Sequence, residues 1–455
     1  MRPPAQADTG QADMFRARLD QILNLDHELV KLARLIDWRF IEARCGAAYS
    51  DVAGRPPLPT RLMAGLAILK HTYNLSDDGL CDRWIENPYF QFFCGETFFC
   101  HELPLDRSSM TRWRQRMGEE RLNALLQESL AVAVKTGAVR LTDLSQVVVD
   151  TTVQEKAVMF PTDAKLTDRA RTRLVKMAKG HGIRLRQSYV RVGKLALIMH
   201  QRYAHAKHFK RARAKLRTLR TYLGRTMREI ERAIKARPEL NTAFRRELFN
   251  ATRVLEHKRG RRKPNDPPPK YAPIYSLHAP EVECIGKGKA HKPYEFGVKI
   301  SVATTLKPSP GGQFVLHAQA LPGRPYDGHT LAPVIPGIET ITGITIKRIV
   351  ADKGYRGGNA PQPYDMRVFI TGQKRGMTDA IKRHMKRRAA VEPVIGHMKT
   401  DHRMGRNFLA HTTGDKINAV MAAVGYNFRR LLAWLALWLA WILHTLRERG
   451  IHAPA

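Results

Sequence analysis

A long basic block in the middle of the chain constrains the fold more than any other feature. Residues 171–270 contain 30 Lys and Arg against 6 Asp and Glu, a net charge of +24 within the +36 of the whole chain. Apolar residues recur through this block at steps of three and four, which is the spacing of one helix face. They are Leu216, Leu219, Leu223, Met227, Ile230 and Ile234. We therefore expect a basic helical hairpin or short coiled coil inserted at residues 166–274 and closed by the Pro-rich segment Lys258–Lys270.

The excess of positive charge indicates a polyanionic partner. The hydrophobic fraction of 43% is that of an ordinary globular protein, so extensive disorder is excluded. So much self-repulsion is unfavourable unless a polyanion offsets it, and this argues against a typical enzyme of small metabolites. Nucleic acid is the first expectation and an acidic membrane surface the second; for the basic block, a solvated helix without a partner stays open.

The first 140 residues have a helical pattern. Apolar residues follow helical spacing within Pro59–Asn74, and Ser76 is placed to cap the next helix. A third helix is predicted over Ser108–Met117, with Gly118 as its stop. That helix carries three arginines, Arg112, Arg114 and Arg116. Three short helices with a basic last one fit a helix-turn-helix DNA-binding module, and equally a solvated charged face on a helical bundle.

Strand-like segments follow, and two of them lead into an aspartate. Ser145–Asp150 is a short β-branched run that ends in Asp150, and Ile346–Ala351 leads directly into Asp352. Tyr294–Thr305 and Phe314–Ala320 flank a Pro- and Gly-rich turn and predict a hairpin. The fold class is therefore α/β, with both acids at strand ends.

A third acid is predicted on a helix over Met377–Lys399. Steps of four and seven place Arg388, Glu392 and Lys399 on one helix face. Carboxylate oxygens are the ligands that Mg²⁺ prefers, and two such ions roughly 4 Å apart activate the attacking oxygen and stabilise the leaving one in phosphodiester cleavage. Pro393 conflicts with a continuous helix over this segment, because a residue before proline is pushed away from helical geometry. We expect a kink at the acid or a second helix that starts at Pro393.

Several motifs together resemble the DDE insertion-sequence transposases of bacteria, from about Arg55 to Asn427. They are VVVDTTVQEKAVMFPTDAKL, KPYEFGVKISVAT with ALPGRPYDGHTL, VADKGYRG, and the helix RRAAVEPVIGHMKTDHRMGRN. Asp150 and Asp352 match the first two catalytic acids of that family. Arg388, Glu392 and Lys399 match its Tyr-x2-Arg-x3-Glu-x6-Lys signature, although Met385 stands at the tyrosine position.

This resemblance implies an architecture and an activity. The fold would be an RNase H-like core at residues 141–165 and 275–411, with an all-helical N-terminal domain at 1–140, the basic helical insertion at 166–274 and an apolar C-terminal helix at 412–455. The chain would bind terminal inverted repeats as a homodimer, cleave DNA with two Mg²⁺ ions per active site (or Mn²⁺ in their place), and join the 3′-OH ends to target DNA.

Roles for individual residues follow from this reading. Asp150 and Asp352 would bridge the metal ions, and Glu392 would bind one of them. The predicted DNA contacts are Arg388, Lys399, Lys353, Tyr355, Arg356, Arg112, Arg114 and Arg116. Asp327 and His329 lie in a polar turn and are interpreted as structural.

Three alternatives stay open. One is a catalytically silent DNA-binding repressor derived from a transposase, and another is a membrane-associated basic protein. The apolar segment Leu431–Leu443 is short for a membrane span and favours a buried or subunit-facing helix. The third is a zinc site at Cys94, Cys100 and His101, although their spacing is not that of a zinc ribbon. The five cysteines and the lack of a signal peptide predict a reducing, cytoplasmic location.

Overall fold

The computed structural model describes residues 17–49, 57–257, 271–286, 292–362, 364, 367–373 and 376–448, with side chains as far as Leu437. The Pro-rich segment Lys258–Lys270 and the side chains of Trp438 and Trp441 lie outside the described residues. The chain forms two compact units, which are described separately. The first unit comprises Met1–Glu155 and Val298–Ala455, and the second comprises Lys156–Gly297.

The first unit begins with helices, as predicted. They are α1 (Leu19–Ile22), α2 (Glu28–Leu35), α3 (Trp38–Gly46), α4 (Thr60–Thr72), α5 (Asp77–Glu86), α6 (Pro88–Phe93) and α7 (Ser109–Lys135). The predicted cap is confirmed, because the Ser76 hydroxyl accepts a hydrogen bond from the Gly79 N–H at the start of α5. The predicted stop is also confirmed: Gly118 has non-helical backbone with a φ of 68°, so α7 consists of two helical segments that meet at this glycine.

The strands are β1 (Gln146–Glu155), β2 (Glu283–Gly286), β3 (Tyr294–Thr305), β4 (Val315–Leu321), β5 (Arg348–Ala351) and β6 (Val368–Ile370). In the first unit they lie in the order β4-β3-β1-β5-β6. The predicted hairpin is confirmed, since β3 and β4 pair antiparallel, and β5 is parallel to both β1 and β6. The expectation that β1 ends at Asp150 is wrong: Thr151 and Thr152 favour extended backbone, and the strand continues for five residues to Glu155.

The remaining helices of the first unit are α12 (Leu331–Thr342), α13 (Asp379–Arg387), α14 (Val391–Asp401) and α15 (His411–Glu448); α8 to α11 belong to the second unit. The single helix predicted over Met377–Lys399 is therefore two helices, separated by a 3₁₀ turn at Arg388–Ala390. Pro393 explains the division, because its missing N–H and fixed φ are tolerated in the first turn of α14 but not inside a longer helix.

One hydrophobic core joins elements that the sequence assigned to three domains. Leu66 of α4, Leu126 of α7, Val302 of β3 and Val424 of α15 all belong to it. The N-terminal helices, the sheet and the C-terminal helix thus share one core in the first unit, in place of the predicted boundaries at 140 and 412. On α15, Leu431 and Leu435 are buried. Among the described residues, no helix is both long and apolar enough to cross a membrane.

The second unit contains α8 (Asp163–Gly180), α9 (Val190–His205), α10 (Phe209–Ala236), α11 (Asn241–Glu256) and β2. Its core includes Leu174, Leu223, Ile230 and Phe244 from three of these helices. The prediction that residues 216–234 carry one buried stripe is confirmed, with Leu216 partly buried and the other five members buried. The insertion is larger than the predicted hairpin, because it contains four helices.

Candidate active site

The sheet brings the first two predicted acids together. β1 and β5 are parallel, and Val148 pairs with Val350. Asp150 and Asp352 each lie two residues further along. The same register therefore places them side by side, at the carboxyl end of β5. Asp150 is largely buried with an exposed fraction of 16%, whereas Asp352, at the end of β5, is 46% exposed.

A single guanidinium group contacts all three predicted acids. Arg388 Nη2 lies 3.2 Å from Asp150 Oδ2 and 3.5 Å from Asp352 Oδ2. Its Nη1 lies 3.8 Å from Oε1 of Glu392, which lies in the first turn of α14 and is 65% exposed. Two oxygens that contact the same nitrogen lie well under a nanometre apart. The structure thus brings together four residues from segments that are far apart in sequence.

The environment of Asp150 opposes its negative charge. Burial raises the pKa of Asp150, while Arg388 and the Thr151 N–H lower it; the nearby Asp352 and Asp327 raise it further. The net direction is upward. A further positive charge close to Asp150 would therefore stabilise the ionised form of its carboxyl group.

A second set of polar contacts supports Asp150 and was not predicted from the sequence. Asp327 Oδ1 accepts hydrogen bonds from the Thr151 hydroxyl and from Lys299 Nζ, both at 2.8 Å. Gly354 permits the close approach of this carboxylate, because a Cβ at that position would lie 2.9 Å from Asp327 Oδ2. The sequence indicates a polar turn at Asp327, but no sequence pattern predicts that Asp327 contacts Thr151, the residue next to Asp150.

The oxygen donors suit Mg²⁺ in kind. Asp150 and Asp352 converge on one nitrogen of Arg388 and thus present their oxygens to the same point. As the side chains stand, however, the described residues contain no group of three or more His, Cys, Asp or Glu arranged to hold a metal ion, and this includes the predicted zinc ligands. Arg388 supplies the positive charge between the carboxylates. The two aspartates are therefore the residues that fit an Mg²⁺ ion, and Glu392 is the most exposed of the three acids.

Two of the predicted DNA contacts are buried, and for these the prediction is wrong. Tyr355 is fully buried in the core of the first unit, and burial raises the pKa of its hydroxyl. Arg114 is 3% exposed and donates to both carboxylate oxygens of Asp77, at 2.9 and 2.7 Å. A side chain enclosed by packing or by a buried ion pair is not available to a phosphate.

The other predicted contacts are accessible in varying degree. Lys353 and Arg356 are exposed and follow Asp352 directly. Lys399 is half-buried on α14. Arg112 and Arg116 are exposed on α7, where Arg116 stacks on the ring of Tyr49. Among these residues only Lys353 is adjacent in sequence to one of the three acids that Arg388 contacts, and Arg356 lies four positions after the same acid, Asp352.

Comparison with known proteins identifies the family. Residues 17–116 match a sequence family described as "Transposase domain (DUF772)". A protein of Rhizobium meliloti described as "Uncharacterized protein ORF8 in nfe locus" is 50% identical over 206 residues, which cover 45% of this chain and 99% of that protein. No solved structure matches the chain. The chain belongs to the same family as the Rhizobium meliloti protein, and its residues 17–116 are similar to a transposase domain.

Proposed function

We propose that this chain is a DDE-type DNA transposase with an RNase H-like core, which binds the terminal inverted repeats of a mobile element, cleaves the DNA and joins the 3′-OH ends to a target. The observation that carries the proposal is the meeting of Asp150, Asp352 and Glu392 around Arg388. Three acids from the central strand, its parallel neighbour and a helix converge although up to 242 positions separate them in sequence. The transposase domain supports the same reading.

Each residue has a role in this proposal. Asp150 and Asp352 would hold Mg²⁺, with Glu392 completing the acidic set. When bound, the ion would activate the attacking oxygen and stabilise the leaving one. Asp327, through Thr151 and Lys299, would hold the backbone beside Asp150 in place, because bonded supporting groups fix the orientation of the side chains that do the chemistry.

Arg388 would serve both the acids and the DNA. Its guanidinium offsets the charge of the Asp150 and Asp352 carboxylates. A guanidinium can also contact a phosphate through two parallel hydrogen bonds, so Arg388 would bind a DNA phosphate beside these acids. Lys353, Arg356 and Lys399 would contact the DNA backbone near the scissile bond. A homodimer would hold the two element ends together.

The test is nicking of a DNA fragment that carries the sequences flanking the gene, with and without Mg²⁺. Wild-type protein should nick only with the ion. The variants Asp150→Asn, Asp352→Asn and Glu392→Gln should nick below detection while they still bind the fragment. Asp379→Asn is the matched control, because Asp379 is an exposed acid of α13 that pairs with Lys382; this variant should nick normally.

The other outcomes are equally informative. Normal nicking by all three acid variants would contradict the proposed site. Tight binding by the wild-type chain without nicking in Mg²⁺ or Mn²⁺ would favour a catalytically silent DNA-binding repressor.

A further inference from the structure

The outward face of α10 carries a line of seven cations, here called the basic stripe. Its positions follow one another at steps of three or four, so they share one face of the helix. The members are Lys210, Arg213, Arg217, Arg225, Arg228, Arg232 and Lys235, with Thr221 in line between them. All eight side chains are exposed.

The packing of α10 fixes the direction in which the stripe faces. Leu219, Leu223, Ile230 and Ile234 lie on the opposite side of the helix and are buried in the core of the second unit. The stripe therefore faces away from that core. From Lys210 to Lys235 it runs about 38 Å at 1.5 Å per residue.

The cations of the stripe have no acidic partners among the described residues. Elsewhere in the same unit basic side chains do pair, as Arg171 with Asp168 at 2.7 Å and Arg173 with Glu247 at 3.2 Å. Like charges at steps of four destabilise a helix by about 0.2–0.5 kcal/mol per pair. A row of such pairs without acids is unfavourable by itself, and a polyanion that lies along it would relieve this repulsion.

We propose that the basic stripe binds the phosphate backbone of duplex DNA without reading its sequence. This inference rests on the proposed function for the choice of DNA. The length of the stripe is similar to one turn of duplex, about 34 Å. The stripe itself contains no aromatic residue, whereas single-stranded nucleic acids are usually held by stacking on aromatic rings. Duplex backbone is therefore the polyanion that it fits.

The experiment compares two triple variants of the full chain. Arg213→Gln/Arg217→Gln/Arg228→Gln removes three charges from the basic stripe. Arg191→Gln/Arg245→Gln/Arg246→Gln removes three exposed charges from α9 and α11 of the same unit. Glutamine keeps helix propensity, so both variants should fold and should melt at or slightly above the melting temperature of the wild type. Affinity for a random-sequence duplex of about three helical turns is measured by fluorescence anisotropy at several salt concentrations.

The stripe variant should lower the slope of log affinity against log salt by up to about 2.7, since each lost phosphate contact removes about 0.9. The control variant should keep the wild-type slope. Equal losses in the two variants would mean that binding follows net charge, and unchanged binding in both would mean that DNA does not contact α10; either result overturns the proposal. Structured RNA that displaces the duplex at lower concentration would also overturn it.

This test is separable from the one for cleavage. If the wild-type chain does not nick DNA but the stripe variant shows the reduced slope, only the proposed function fails. If the wild-type chain nicks DNA and the two triple variants bind alike, only the inference about the basic stripe fails.

Discussion

Two groups of cationic side chains in this molecule differ in what surrounds them. In the first unit, Arg388 is largely buried and contacts three carboxylates. In the second unit, the basic stripe of α10 is exposed and lacks acidic partners among the described residues. The same excess of positive charge thus serves two purposes: a paired arginine holds acids together, and unpaired ones are available to a phosphate backbone. Net charge alone, at +36, does not distinguish these uses.

Removing the acid from a buried cation pair should give the largest change in stability. Asp77 accepts hydrogen bonds from Arg114 and, at 2.6 Å, from Lys70, and both cations are buried. Asp77→Asn leaves two buried cations without a counter-charge and should lower the free energy of unfolding by about 3–5 kcal/mol, measured by urea denaturation. Asp78→Asn is the control, since Asp78 pairs with Arg107 on the surface, where solvent screens the pair, and its loss should change the stability much less. Equal losses from both variants would contradict this distinction.

The same pair predicts a pH dependence. Burial alone would raise the pKa of Asp77, but Arg114 and Lys70 hold it well below its ordinary value of 3.8. A carboxyl with a lowered pKa in the folded state stabilises the fold above its unfolded pKa and loses that contribution as the pH falls. The difference in stability between wild type and Asp77→Asn should therefore be full at neutral pH and shrink below about pH 4.

Removing the cation from the acidic cluster should give a smaller change that Mg²⁺ reverses. Arg388→Met leaves Asp150 beside Asp352 without their shared partner and should lower the free energy of unfolding by about 1.5–3 kcal/mol in chelator. Added Mg²⁺ should raise the melting temperature of this variant more than that of the wild type, because the ion replaces the missing charge. An equal Mg²⁺ effect on both proteins would show that the guanidinium and the ion do not share these carboxylates.

Removing the hydrogen bonds that Asp327 makes beside Asp150 should lower the rate of DNA nicking without abolishing it. Asp327→Asn removes the charge that pairs with Lys299, and Thr151→Val removes the hydroxyl that bonds to Asp327. Each should reduce Mg²⁺-dependent nicking by about 10–100-fold and raise the Mg²⁺ concentration needed for half the maximal rate. A slower rate with an unchanged Mg²⁺ requirement would mean that Asp327 does not act through the metal site.

The smallest effect concerns the basic stripe in the absence of DNA. The variant Arg213→Gln/Arg217→Gln/Arg228→Gln relieves repulsion between neighbouring cations and should raise the free energy of unfolding by a few tenths of a kcal/mol. Saturating duplex should then stabilise the wild type more than the variant, as measured by the shift in melting temperature. A variant that is clearly less stable than the wild type without DNA would indicate that these arginines support the fold.

The sequence predicted those features that depend on local pattern. The strand before Asp352, the hairpin of β3 and β4, the cap at Ser76 and the buried stripe of α10 all follow from the spacing and type of neighbouring residues. The division between α13 and α14 was partly foreseen from Pro393, although α14 begins at Val391, two residues before the proline.

Features that depend on tertiary packing were missed. Arg114 and Tyr355 were predicted to contact DNA, Arg114 as part of a basic helix and Tyr355 from its position after Asp352, but packing against other elements buries them. The hydrogen bonds among Thr151, Lys299 and Asp327 join three segments that are far apart in sequence, and no local residue pattern predicts such contacts. The core shared by the N-terminal helices, the sheet and α15 was not predicted for the same reason. Each of these segments has an apolar face, but the sequence does not show which faces pack together.

The central claim, that acids distant in sequence form one metal-binding active site, can be tested by placing Fe²⁺ in that site. With ascorbate and peroxide, a bound iron ion generates radicals that cut the polypeptide next to it. The account predicts cuts near Asp150, Asp352 and Glu392 that Mg²⁺ suppresses and that Asp150→Asn removes. Cuts elsewhere in the chain, or the same cuts in Asp150→Asn, would contradict it.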